Sequence, residues 1–169
     1  MKCIDAIMTR RSIRAYTTDR VSEAHVEAIL RAAMAAPSAG NKQSCRFVVV
    51  RDAEMRVRLA ETSQFAGMLP SAQVGIVVCG DTSVELNPGN WITDCSAATQ
   101  NALLAAHALG LGAVWLGVYP REERMRGVSE LLGLPDGVLP LCMISIGHPA
   151  EERPAVDRYK EAHVHHERW

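Results

Sequence analysis

Two short stretches carry the side chains best suited to chemistry. Arg10-Arg11-Ser12-Ile13-Arg14 places three guanidinium groups and a hydroxyl within five residues. Guanidinium grips anions through paired donors and serine adds a neutral one, so the set suits a phosphate together with a second electron-rich group. Ala36-Pro37-Ser38-Ala39-Gly40-Asn41-Lys42-Gln43 is a polar, turn-prone loop whose side chains give and take hydrogen bonds. A third candidate is Trp115-Leu116-Gly117-Val118-Tyr119-Pro120, where Gly117 lets backbone come close to a flat ligand. Each has a plainer alternative on its residues alone: a basic surface turn, the end of a helix, and a bulge or packing contact.

These stretches must be held by regular elements. A short helix is expected over 2–9, followed by an extended segment carrying the arginines. Ser22 caps a helix over about 23–35, with Ile29, Leu30, Ala33 and Met34 on its apolar side and Pro37 ending it. Residues 46–50 read as a strand, 53–62 as a charged amphipathic helix, and 74–79 as a strand buried on both faces. The longest helix spans about 92–109, capped by Thr93 or Asp94 and closed by Gly110. Its alanines (97, 98, 102, 105, 106 and 108) fit close approach by another helix, in a core or at a subunit interface. A strand over 113–118, a helix over 121–132 and a strand over 139–146 follow. Beyond Gly147 the chain is polar, broken by Pro149 and Pro154, and has too few apolar residues for a core element, so 148–169 is expected to be an extended arm.

Composition narrows the function. A chain of 169 residues with 48% hydrophobic content is expected to form one domain, 1–169, with a real core. The net charge of −1 offers no general attraction to nucleic acid or an anionic membrane. No apolar run reaches the roughly 18 residues of a membrane span. Five cysteines without a C-x-x-C pair fit a reduced, cytoplasmic setting, with Cys79 and Cys142 as core residues. His163, His165 and His166 lack a cysteine or carboxylate partner at ligand spacing, so no metal site is expected. G-x-G-x-x-G, Walker, G-x-S-x-G and H-E-x-x-H motifs are all missing, which leaves dinucleotide-fold and hydrolase functions without support. Strands alternating with helices give a layered α/β sandwich.

Taken in order, these segments resemble the nitroreductase family over nearly the whole chain. The matches are Arg10, Ser12 and Arg14, the P-S-x-x-N loop at Pro37, Ser38 and Asn41, and the W-x-x-D-x-x-A-A-x-x-N run from Trp91 to Asn101. The strand ending at Gly117 and the V-H-x-x-x-W tail at Val164, His165 and Trp169 continue the match. Ser44 and Cys45 stand where the family often has a proline and an aromatic residue.

The resemblance implies an α+β sandwich with a mixed central sheet flanked by helices, a terminal arm exchanged in a homodimer, and bound FMN. It assigns Arg10 and Ser12 to the phosphate and Arg14 to the N1–O2 edge of the ring, with Arg11 either a further cofactor-binding residue or part of a basic surface turn. Pro37, Ser38, Ala39, Asn41 and Gln43 would come from the partner subunit, Gln64 would touch the ring edge, and Leu116 and Gly117 would lie at N5. Arg153 would complete the phosphate site, with Arg158 as the alternative. Trp91 would border the substrate pocket, and Asp94 would cap its helix. No side chain is assigned a catalytic role, since flavin N5 would do the chemistry. NADH or NADPH would reduce the flavin, which would then reduce nitroaromatics, quinones or other electron-poor acceptors. Three other functions suit the same fold: a different flavin enzyme such as a reductive dehalogenase or a flavin-fragmenting enzyme, a non-catalytic flavin-binding or storage protein, and an interaction dimer without cofactor.

Overall fold

The computed structural model describes every residue, Met1–Trp169. Its elements run α1 (Cys3–Thr9), α2 (Glu23–Met34), β1 (Cys45–Val50), α3 (Ala53–Glu61), β2 (Val74–Asp81), α4 (Asn90–Ala108), β3 (Gly112–Gly117), α5 (Glu122–Leu132) and β4 (Val138–Gly147). The order of elements agrees with the sequence-based expectation, and the ends differ by at most two residues.

The strands form one sheet in the order β1-β2-β4-β3. All three strand pairs are antiparallel. The α+β class stands, but the expected mixed sheet is corrected: the parallel element is a single isolated bridge, Ser12 to Ala113. The cause is topological, because the arginine segment lies beside β3 without becoming a strand. Both sheet faces are covered, as the apolar run of β2 requires. One face packs Ile76, Val78 and Ile144 against Ile29 of α2 and Ala98, Ala102 and Ala106 of α4. The other packs Val77, Leu116 and Met143 against Leu59 of α3 and Val128 of α5.

Ser22 caps α2 as expected, accepting the amide of His25 at 3.1 Å. The cap of α4 does not fall where expected. Gly89 occupies it, and Asp94 lies inside the helix, buried. Three of the α4 alanines serve the core rather than an interface: Ala98, Ala102 and Ala106 are buried against α2 and the sheet. The arm beyond β4 is exposed almost throughout, with one 3-10 turn at Glu161–His163. No helix is long and apolar enough to cross a membrane.

Candidate functional site

The arginine segment is fixed at both of its flanks. Ile13 donates its amide to the Ala113 carbonyl at 3.1 Å, laying the segment along the edge of β3. A Cβ on Gly112 would stand 2.6 Å from Ile13, so only glycine permits this approach. Tyr16 anchors the other side, its hydroxyl 2.7 Å from the Ile13 carbonyl and 2.5 Å from Ser145 Oγ. Burial pushes the Tyr16 hydroxyl pKa up to about 12, so it stays a neutral donor.

The start of the tail forms the second wall. Thr17 donates to the His148 carbonyl and Ala150 to the Ala15 carbonyl, both at 2.9 Å. Glu151 Oε1 accepts the amides of Arg14 at 2.6 Å and Ala15 at 3.2 Å. Its Oε2 accepts Arg153 Nη2 at 2.7 Å. The Arg14 amide, then the Arg153 guanidinium, hold the Glu151 carboxyl below its ordinary value of 4.5.

A depressed carboxyl stabilises the folded arrangement above its ordinary value and loses that contribution as pH falls through the folded one. The Glu151 clasp is therefore complete above pH 4.5 and opens below it. Glu151→Gln is expected to loosen the tail at neutral pH by about 1 kcal/mol or less, as for other exposed ion pairs. Limited proteolysis within residues 154–169 should be faster in E151Q at pH 7, with the two proteins converging below pH 4. Equal cleavage at pH 7 would show that Glu151 does not hold the tail.

The cations of the segment differ in their surroundings. Arg11 is satisfied by carbonyls, with Nε on Pro154 at 2.9 Å, Nη2 on Val156 at 3.2 Å and Nη1 on Arg10 at 2.6 Å. These contacts strap the tail down and use most of the Arg11 donors. Arg10 is half-buried, and its guanidinium makes no hydrogen bond or ion pair with the protein. Burial, then the charges of Arg11 and Arg158, push its pKa down. Arg153 is engaged by Glu151, whereas Arg158 is the tail cation whose charge acts on Arg10. Arg14 points elsewhere. It lines an open cleft of about 560 Å³ with Gln64, Phe65, Gly67, Met68, Val114, Trp115, Leu116, Gly117 and Arg124. As the segment is extended, Arg10 and Arg14 are at most about 13 Å apart.

Gly117 is exposed at the end of β3, and a Cβ there would meet nothing within 4 Å. The packing-contact alternative is thereby removed. Trp91 is not at this cleft: it is buried in the core, with Gly80 beneath it and Tyr119 in edge contact at 5.1 Å.

The 37–43 loop sits elsewhere again. Asn41 and Gln43 adopt φ of 54° and 52°, a left-handed region costing about 1–2 kcal/mol for such residues. Local bonds hold them there. Ser38 Oγ accepts the Gln43 amide at 2.9 Å, and Gln43 Nε2 donates to Asn41 Oδ1 at 3.2 Å. Asp94 binds the loop to α4, accepting from Ala39 N at 2.9 Å and Ser44 Oγ at 3.0 Å. That is the role of Asp94 in place of a helix cap. Pro37, Ser38 and Gln43 line a separate cavity of about 220 Å³ beside β1.

The candidates therefore fall into two groups. Arg10, Ser12, Arg14, Gln64, Leu116 and Gly117 gather around β3, and Pro37 to Gln43 precede β1. These strands are the opposite edges of the sheet, three strand spacings or about 14 Å apart. Missed in the sequence were Tyr16, Phe65 and Arg124. Only the position of Arg124, shortly after the glycine-ended strand, could have drawn attention to it.

The sequence profile described as the nitroreductase family matches residues 7–73 and 65–148. A protein of Archaeoglobus fulgidus, provisionally named NADH dehydrogenase/NAD(P)H nitroreductase, is 49% identical over 172 residues, with 99% of each chain covered. A crystal structure with the same provisional name from Parabacteroides distasonis superposes with a TM-score of 0.95 at 39% identity, covering 99% of this chain and 98% of that one. A provisionally named nitroreductase of Desulfovibrio desulfuricans, solved in complex with FMN, superposes with a TM-score of 0.86 at 36% identity, covering 100% and 98%. A glycine-ended strand flanked by an anchored arginine segment, together with a profile match over most of the chain, settles the family: the protein belongs to the nitroreductases.

Proposed function

We propose that the whole chain, 1–169, forms one FMN-binding unit that works in a homodimer as an NAD(P)H-dependent oxidoreductase. It would act on nitroaromatics, quinones or other small electron-poor acceptors. The observation that carries this is Arg10: a half-buried cation with no acceptor in the protein, at the far end of an extended segment from an open cleft floored by Gly117. A bound phosphate would relieve the crowding of Arg10, Arg11 and Arg158, so the residues fit FMN. The FMN complex of the Desulfovibrio relative supports the same cofactor.

Arg10, Ser12 and Arg158 would hold the phosphate. Arg14 and Gln64 would meet the polar edge of the ring, and Leu116 and Gly117 its reactive face. When bound, FMN would supply the hydride and electron-transfer chemistry. Arg14 would supply a cation to the ring edge where negative charge would grow. The nicotinamide would enter, deliver hydride and leave before the acceptor used the same cleft. The five cysteines are free thiols, in keeping with a reducing compartment such as the cytoplasm.

The test is the absorption spectrum of the FMN-loaded protein before and after anaerobic NADH and NADPH. Bleaching of the flavin band and its recovery on adding a quinone are expected. A band that neither nucleotide bleaches would reduce the proposal to a flavin-storage protein.

Gly117 gives a sharper check. A Cβ there meets nothing within 4 Å at an exposed strand end, so G117V should fold with stability within about 0.5 kcal/mol of the parent. Its branched side chain would project into the cleft, and FMN affinity should fall at least about tenfold. Equal FMN affinity would remove Gly117 from the site.

A further inference from the structure

Arg124 is the charged group at the cleft that the proposed FMN site does not use. It lies in the first turn of α5, and its Nη1 donates to the Gly117 carbonyl at 3.2 Å. Its guanidinium carbon stands 5.4 Å from the centre of the Phe65 ring. The carbonyl and the ring face together hold the side chain in one pose at the rim. A guanidinium has five N–H donors, and the other four have no acceptor in the protein. No carboxylate pairs with Arg124, although Glu122 and Glu123 share its helical turn.

The rest of the cleft has the same bias. Its only charged residues are Arg14 and Arg124, and neither aspartate nor glutamate lines it. Phe65, Met68, Trp115 and Leu116 supply apolar surface beside the two cations. Phe65 is 62% exposed, a large aromatic face outside the core. Flat apolar walls with a fixed, under-used guanidinium at the rim match a particular ligand chemistry.

We propose that the cleft selects a planar, electron-poor acceptor that carries a negative charge, such as an aromatic carboxylate or sulfonate, and that Arg124 is the residue that selects it. This rests on the oxidoreductase function proposed above and names its substrate class. A neutral acceptor gains only stacking against Phe65. An anionic one adds a charge-assisted hydrogen bond to a guanidinium already held in place, so little side-chain freedom is lost on binding.

The experiment uses FMN-saturated protein reduced with dithionite, so that no nicotinamide takes part. It is mixed in a stopped-flow instrument with para-nitrobenzoate or with its neutral analogue para-nitrobenzamide. In Arg124→Met the nitrobenzoate-to-nitrobenzamide rate ratio is expected to fall about tenfold from the parent's, the worth of one charge-assisted bond. Arg124→Lys should retain part of that ratio, and salt should compress the parent's. Calorimetry of benzoate binding to the oxidised protein should show the same loss in R124M.

A ratio unchanged in R124M would overturn the proposal. So would a loss confined to reduction by NADH or NADPH, which would give the cation to the dinucleotide, or one confined to FMN affinity. If the reduced protein reacts with neither compound, the oxidoreductase function fails. Benzoate calorimetry then decides the role of Arg124 by itself: weaker binding in R124M upholds it, and equal binding refutes it.

Discussion

Arg10→Ala is expected to weaken FMN binding by about 1.5–3 kcal/mol, roughly ten- to a hundredfold in Kd. Arg10 is half-buried, its guanidinium has no partner in the protein, and it is pushed toward deprotonation by burial and by Arg11 and Arg158. Without a ligand this crowding of cations is unfavourable, and a phosphate dianion would reverse its sign. The same substitution should leave the free protein as stable as the parent or slightly more so, since a repulsive contact is removed. Fluorescence titration with FMN and thermal melts of the cofactor-free protein give the two readings. Unchanged FMN affinity, or a large loss of stability without FMN, would make Arg10 a structural residue. Arg153→Ala should cost less affinity than Arg158→Ala, because Glu151 already engages Arg153.

Truncation after Gly147 is expected to have the largest effect, a loss of FMN affinity of at least about a hundredfold together with dissociation to monomers. The cut removes the Glu151 clasp, the His148 and Ala150 backbone bonds and the carbonyls that satisfy Arg11. Several hydrogen bonds of about 1 kcal/mol each then no longer hold the arginine segment against β3. The proposed dimer is motivated by the layout of the site. The 37–43 loop and the Gly117 cleft occupy opposite sheet edges, and two-fold pairing would bring one protomer's loop to its partner's cleft.

Exposed apolar residues indicate where such pairing would form. Ile4, Ile7 and Met8 on α1 lack a covering element, as do Val156, Tyr159 and Trp169 on the tail. FMN binding and association should then strengthen each other. Sedimentation with and without FMN, on the parent and on chains ending at Gly147 or Arg153, tests this. The longer truncation keeps the Glu151 clasp but lacks the rest of the arm, so it should retain a monomer's fold while losing the dimer. A monomer that binds FMN as tightly as the parent would refute the linkage.

The sequence by itself determined the order of the elements and the family. The mostly apolar runs at 74–79 and 139–146 read as central strands, and helices do cover both faces of the sheet they form. Ser22 before a 3.6-residue apolar pattern, and Pro37 after it, bounded α2 to within a residue. The local motifs carried the family resemblance because they depend on residue type at short spacing, which is the information a sequence holds directly.

What needed the tertiary structure was every property set by long-range partners. Nothing local to Asp94 says that its carboxylate reaches back some fifty residues to Ala39 and Ser44, so it read as a helix cap. Arg11 and Arg10 are neighbours of the same type. Only the path of the tail shows that one is satisfied by the carbonyls of Pro154 and Val156 while the other is left free. Glu151 likewise separates Arg153 from Arg158. Trp91 looked like a pocket wall until Gly80 was seen to make room for it in the core. Strand direction turned on whether residues 10–14 join β3 as a strand or only touch it. A single backbone hydrogen bond, from Ile13 to Ala113, with Gly112 leaving space beneath, decided that they only touch it.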